Sequence, residues 1–418
     1  MAQLSDDCFA HGGALMPLDD ALALLDGKLQ PVCDPESVPL ARAGGRLLAE
    51  DIVAAVDVPP HDNSAVDGYA VFFEDLDPDR ETRLPVTGRA AAGHPLGRPA
   101  RRGEAIRIFT GAPMPEGLDT VMMQEDCRDD DGDVIVAAGI KRGANRRRAG
   151  EDVKRGDTIL RRGRRLQPQD LGLAAAVGRT EVAVYRPLRV AVFSTGDEVR
   201  EPGQPLPGGA IYDANRYTLI AAVSRLGCPV SDLGILPDNA EAIRHALSGA
   251  AASHDLLLTS GGVSVGEEDH VKAAVEASGS MHFWRLAIKP GRPVAMGQIG
   301  STPIVGLPGN PGAALVTFLL VARPILLRLA GASEIVPRRF RVKLDFECRK
   351  KAGRREFVRA KLKTGGDGAP VAVRHGRSGA GILSSMVEAD GLLDLGADMT
   401  YLETGSMVDF LPFREVLT

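Results

Sequence analysis

Three apolar runs in the middle of the chain each lead into a glycine-rich loop, and two of those loops carry acidic residues. Residues 190–193 feed Ser-Thr-Gly-Asp-Glu (194–198), and residues 256–258 feed Thr-Ser-Gly-Gly-Val-Ser-Val-Gly-Glu-Glu-Asp (259–269). Ile304 and Val305 run into Gly-Leu-Pro-Gly-Asn-Pro-Gly (306–312) before a helical stretch. One strand-glycine-helix turn is only a tight connection, because glycine adopts backbone angles that other residues resist. Three in one segment are a stronger signal: in open α/β sheets, ligands gather at the carboxyl ends of strands, and turns without side chains let N–H groups approach anions. The pattern predicts a phosphate-bearing ligand beside carboxylates, with a divalent metal between them. The P-loop and dinucleotide fingerprints are both absent, which disfavours ordinary ATPase and NAD chemistry.

The 418 residues call for three or four domains. With 44% hydrophobic and 25% charged residues the composition is that of an ordinary globular protein, and a net charge of -5 gives no electrostatic case for nucleic acid. Cys8, Cys33, Cys127, Cys228 and Cys348 form no C-x-x-C pair, which argues for a reducing compartment and against a disulfide frame or zinc cluster. Asp6 and Asp7 interrupt any basic leader, so the expected location is the cytoplasm. No segment reads as ~20 continuous apolar residues, so no membrane partner is expected.

Periodicity divides the chain further. Residues 17–29 place Leu18, Leu22, Leu25 and Leu29 on one helical face, and a second helix is expected over 41–50. Short β-like runs separated by Gly, Pro and Asp turns fill 56–140, and mixed character returns from 150 to 187. Strands and helices alternate over 188–329, the rhythm of a largely parallel sheet, and short strands over 340–413 predict a barrel or sandwich. The expected domains are 1–55 with 148–187 as a discontinuous N-terminal domain, 56–147 as a β-rich insertion, 188–330 as the α/β domain and 331–418 as a C-terminal β-barrel. The densest basic run includes Arg146, Arg147 and Arg148 immediately before Glu151 and Asp152, a cation-acid cluster suited to an anionic substrate.

Eight motifs occur in order: PPHDNSAVDGYAV (59–71), RIFTGAPMPEG (107–117), NRRRAGEDV (145–153), FSTGDE (193–198), IYDANR (211–216), TSGGVSVGEED (259–269), LAIKPGRP (286–293) and GLPGNPGA (306–313). Together they resemble the molybdopterin molybdenumtransferase family, the MoeA proteins of bacteria and the E domain of gephyrin, across nearly the whole chain. The resemblance implies a multidomain α/β plus β architecture, with a three-layer molybdopterin-binding domain on a parallel sheet. It also implies insertion of molybdenum into adenylylated molybdopterin, with magnesium-dependent release of AMP, by an elongated homodimer.

By that match the acidic set is Asp62, Asp152, Glu198, Asp238 and Asp269, with Thr110 and Lys289 as polar and cationic contacts and Thr195 and Arg285 beside the substrate. Arg285 stands where many relatives have Lys. The glycine-serine segment 378–385 follows the family only in part, so Arg359 and Ser384 are weaker assignments.

Simple chemistry narrows these roles. Magnesium bridges one or two carboxylates to substrate phosphates, which makes Glu198 and Asp269 the candidate ligands. Molybdate is an anion, so carboxylates near it need compensation, and Lys289, Arg292 and Arg147 are the candidates for it. Phosphates and pterin are expected along the N–H groups of Gly261, Gly262 and Ser264, with Pro308, Gly309 and Asn310 closing the other side. The expected partners are adenylylated molybdopterin, molybdate and a molybdopterin adenylyltransferase. Two other readings stay open: the adenylyltransferase itself, and a gephyrin-like binding scaffold. The spread of acids over two domains further predicts a site shared between subunits.

Overall fold

The computed structural model describes residues 15–237, 239–261, 270–376 and 379–416. Its centre is a six-stranded sheet in the spatial order Val230–Leu236, Val190–Thr195, Leu256–Ser260, Thr302–Leu307, Pro293–Ile299, Gly279–Arg285. The first four strands are parallel. Val190–Thr195 and Thr302–Leu307 are buried at every position, as strands covered on both faces must be. Successive side chains point to opposite faces, so Val190 and Val192 enter one core while Ala191 and Phe193 enter another. The sheet is thereby the middle of three layers.

Two strands depart from the parallel expectation. Pro293–Ile299 pairs antiparallel with both Thr302–Leu307 and Gly279–Arg285. The link at Gly300, with φ 60°, is far too short for a crossover, so a hairpin is forced. The helical stretch expected after the third glycine loop is also modified, into Pro311–Thr317, a wide π turn Phe318–Ala322, and Arg323–Ala330. Pro324 has no N–H to donate and its ring crowds the preceding turn, which accounts for the widening. Taken whole, Pro311–Ala330 is the one helix among the described residues long and apolar enough to cross a membrane, with mean hydropathy 1.9. It is 94% buried within the protein, so its apolar surface is used in the core.

The helix Leu18–Lys28 inserts Leu18, Ala21, Leu22 and Leu25 into the same core as Val190, Trp284 and Leu326. Each fully buried leucine of this kind contributes ~1.5–3 kcal/mol. The second helix expected over 41–50 does not form. A 3-10 turn, Leu40–Arg42, leads instead into extended chain whose N–H groups serve distant strands. Gly45 donates to the Leu166 carbonyl at 2.8 Å, Leu48 to Arg164 at 2.9 Å and Ala49 to Ala183 at 2.9 Å. Gly45 also sits at φ 76°, outside helical geometry.

Residues on either side of the inserted sheet pair with one another: Pro35–Pro39 with Glu181–Tyr185, and Ile52–Val53 with Thr158–Leu160. Between them lies a separate six-stranded sheet with its own cores around Tyr69, Val71 and Val134 and around Ala70, Ile106 and Val121. The C-terminal strands Phe340–Leu344, Arg355–Thr364, Pro370–Arg374, Gly391–Leu395 and Met407–Pro412 close on themselves through the Arg355–Thr364 and Gly391–Leu395 pairing. Closure leaves this barrel no open edge.

The segment entering the central sheet is pinned by charge. Arg186 donates to both oxygens of Asp255 at 2.6 and 2.9 Å, and Arg189 donates at 3.0 Å. Burial alone would raise the Asp255 carboxyl, but these arginines outweigh it and hold it at about 2, below its ordinary 3.8. Glu104 is likewise held at about 2, chiefly by Arg98. A folded-state value below the unfolded one means the stabilisation is complete above about pH 4 and is lost as pH falls toward about 2. The melting temperature should therefore drop across that window, and Asp255→Asn should flatten the drop. An Asp255→Asn protein with the wild-type acid profile would contradict this assignment.

Candidate active site

A cavity of 730 Å³ opens where the carboxyl ends of the central strands meet the barrel. From the central domain it is lined by Glu198, Gly261, Lys289, Arg292, Pro308, Gly309 and Asn310. The barrel side adds Arg349, Glu356, Arg359, Arg374 and His375.

Glu198 reaches the cavity because the loop after Val190–Thr195 turns sharply at Gly196, at φ 128°. The positive φ at Gly196 is one that side chains rarely adopt, and the Glu198 carboxylate folds back to within 2.6 Å of where a Cβ there would fall. Behind it, the hydroxyls of Ser194, Thr195 and Thr259 are buried and have no hydrogen-bond partner among the described residues. Unsatisfied buried hydroxyls are costly, and a polar ligand or its waters at the strand ends would satisfy them.

The two glycine loops are clipped together. Asn215 donates from Nδ2 to Ser260 Oγ and to the Gly309 carbonyl, each at 2.7 Å, and Ser260 Oγ donates to the Pro308 carbonyl at 3.1 Å. The next residue, Arg216, is only 2% exposed. Burial disfavours the Arg216 charge, yet bonds to Glu201, Asp213 and Asp232 more than compensate and raise its pKa above the ordinary range.

The barrel is joined at the same place. Ile288–Lys289 runs parallel to Arg355–Glu356, and Lys289 Nζ lies 3.2 and 3.3 Å from the Glu356 carboxylate oxygens. Arg359 is 7% exposed and donates from Nη2 to the Gly379 carbonyl at 2.6 Å. A Cβ on Gly312 would lie 2.6 Å from that Nη2, so the helix starting at Pro311 approaches the barrel closely only because position 312 has no side chain.

Of the residues expected at the site, Glu198, Gly261, Lys289, Pro308, Gly309 and Asn310 share this cavity, as does Arg292. Thr195 lies buried behind it, whereas Arg285, at the end of its strand, does not line it. Asp238, Gly262, Ser264 and Asp269 fall outside the described residues. Asp62, Thr110, Arg147 and Asp152 do not line the cavity.

These last four belong to a second constellation on and beside the inserted sheet. Arg146–Arg147 pairs with Asn63–Ser64, Asp62 accepts from the Ala149 N–H at 2.8 Å and meets Arg146 at 3.0 Å, and Asp152 donates its N–H to the Val58 carbonyl at 3.0 Å. Thr110 donates its N–H and hydroxyl to Asp67 at 2.7 and 2.8 Å. The backbone bond first, and then the hydroxyl, hold the Asp67 carboxyl below its usual range.

Sequence reasoning missed the barrel cations Arg349 and Arg374, together with Glu356 and His375. No motif marks them, because they meet the glycine loops only through barrel closure and the pairing of residues 288–289 with 355–356. Among the described residues, no group of three or more His, Cys, Asp or Glu forms a metal cage. A single exposed carboxylate such as Glu198 still suits a hard cation that keeps most of its waters and shares substrate phosphates.

Fold and site together define a multidomain protein built on an α/β domain with glycine-rich loops at its strand ends, whose cleft is completed by a C-terminal barrel. Residues 16–178 match the MoeA N-terminal region (domain I and II), 191–328 the probable molybdopterin binding domain, and 341–413 the MoeA C-terminal region (domain IV). The chain is 39% identical over 405 residues to the molybdopterin molybdenumtransferase of Haemophilus influenzae, covering 96% of this chain and 100% of that one. It is 36% identical to molybdopterin molybdenumtransferase 2 of Mycobacterium tuberculosis, covering 91% and 96% respectively. The crystal structure of the molybdopterin biosynthesis moeA protein from Pyrococcus horikoshii OT3 superimposes with a TM-score of 0.81 at 30% identity, covering 96% of this chain and 100% of that one. The chain belongs to the MoeA family.

Proposed function

We propose that this enzyme acts late in molybdenum cofactor biosynthesis, inserting molybdenum into adenylylated molybdopterin with magnesium-dependent release of AMP. The observation that carries the reading is the cavity in which a loop-end carboxylate, Glu198, and the glycine loops stand with Lys289, Arg292, Arg349, Arg359 and Arg374. That arrangement suits two anions at once, a phosphoric anhydride along the backbone amides and molybdate against the cations.

Anhydride cleavage needs charge stabilisation and a positioned attacking oxygen more than covalent chemistry by the protein. Gly261 and Gly309, clipped by Asn215, would hold the phosphates in place. Arg359 and Arg374 would orient the molybdate oxygens. Glu198, with Asp269, would hold the magnesium, which when bound would neutralise charge on the phosphates. Asp62, Thr110 and Asp152 would reach the same substrate from a second subunit of a homodimer. A free-standing adenylyltransferase would need neither the barrel cations nor the inserted constellation, and a molybdopterin adenylyltransferase is the natural donor of the substrate.

The test is incubation of the purified chain with adenylylated molybdopterin, molybdate and magnesium, followed by measurement of AMP and of transferable molybdenum cofactor. Excess chelator should stop AMP release and magnesium should restore it. Full release in chelator would refute the metal assignment, and absence of AMP under every condition would favour a binding scaffold.

A further inference from the structure

A second cleft, of 690 Å³, lies away from the active-site cavity, where the segment 158–173 meets the helix Arg323–Ala330 and the linker 332–338. Five arginines line it, Arg161, Arg164, Arg165, Arg323 and Arg338, against three carboxylates, Asp170, Glu334 and Glu415. Asp170 is already engaged, accepting from Arg164 at 2.8 and 2.9 Å. The other four arginines have no ion pair among the described residues.

Two of these four are held in the wall of the cleft. Arg323 is 8% exposed and donates to the Val416 and Ile335 carbonyls at 2.9 and 3.1 Å. Arg165 donates to the Gly45 and Leu226 carbonyls at 2.9 and 3.2 Å. Backbone carbonyls fix both side chains but neutralise neither. Each guanidinium has five N–H groups, so donors remain after these bonds. Burial, and next the charge of Arg165, pull Arg323 down to about 10, with the Glu415 carboxylate offsetting them only in part. Structural tethering accounts for one buried arginine bonded to carbonyls; here a second, half-buried one stands beside it, flanked by the exposed Arg161 and Arg338, in a cleft of ligand size.

We propose that this cleft binds a phosphate group, free or as a phosphomonoester, which bridges Arg165 and Arg323 and is reached by Arg161 and Arg338. Bound there, the anion ties the segment 158–173 to the central domain and so stabilises the joint between them.

The experiment uses the full chain and measures binding by calorimetry, with melting temperature as a second readout. Inorganic phosphate, AMP and adenosine are compared at ionic strength matched with chloride. Because the active-site cavity is itself basic, every titration is repeated in Arg359→Gln. Phosphate or AMP should bind and raise the melting temperature in both wild type and Arg359→Gln, whereas adenosine should not. Arg165→Gln should weaken that binding about tenfold, the scale of one charge-assisted hydrogen bond. The surface double variant Arg161→Gln/Arg338→Gln, which leaves the core untouched, should weaken it by roughly threefold and lower its salt dependence; it decides the matter if Arg165→Gln fails to fold. Binding of phosphate without AMP would assign the free ion, and binding of AMP without phosphate the monoester. Binding abolished by Arg359→Gln, or unchanged in the double variant, would overturn the proposal, as would no binding at all.

Discussion

Mixed dimers of Asp62→Ala and Glu198→Ala chains are expected to recover about a quarter of wild-type AMP release, although each parent protein is nearly inactive. Asp62 and Glu198 belong to different constellations: Glu198 lines the active-site cavity, and Asp62 is bound to Arg146 and the Ala149 N–H beside the inserted sheet. In a two-fold dimer whose site takes its inserted sheet from one subunit and its cavity from the other, a mixed dimer holds one doubly damaged site and one intact site. Random exchange makes about half of the dimers mixed, each with one working site of two, hence about a quarter of full activity. The measurement is AMP release after exchange has been demonstrated with differently tagged chains. Complete exchange without recovery would mean that each subunit builds its site alone.

Glu198→Gln is expected to lower turnover by ~10²–10³-fold, the cost of removing one group that stabilises charge in the reacting complex. The side chain is exposed on a loop, so the unfolding free energy should remain within about 0.5 kcal/mol of wild type. The substitution keeps the size of the side chain and its fit against Gly196, and removes only the charge. A ligand for magnesium predicts more than a slower rate: the magnesium concentration needed for half-maximal activity should rise as well. Wild-type turnover with wild-type magnesium dependence in a folded Glu198→Gln protein would exclude it from the site.

The glycine loops were legible in the sequence because their chemistry is local. A strand of four to six apolar residues, a turn that only glycine enters without strain and the start of a helix are all encoded in neighbouring positions, so the loops at 194–198, 259–261 and 306–312 could be placed before any tertiary contact was known. The same holds for the helix Leu18–Lys28, whose leucines repeat at helical spacing. The stretch 41–50 shows the limit of local reading: its composition suits a helix, but its N–H groups are claimed by residues more than a hundred positions away.

The eight ordered motifs determined the family, and with it the four-part architecture, from sequence alone. Tertiary structure decided which of their residues meet. Barrel closure brought Arg349, Arg359 and Arg374 to the glycine loops, and the pairing of 288–289 with 355–356 set their register. Packing also kept Asp62, Thr110 and Asp152 out of that cavity, although they stand in the same run of motifs as Glu198. Periodicity and turn chemistry act over a few residues, whereas a cavity assembled from two domains depends on burial and strand pairing between distant segments, for which no single stretch of sequence carries the signal.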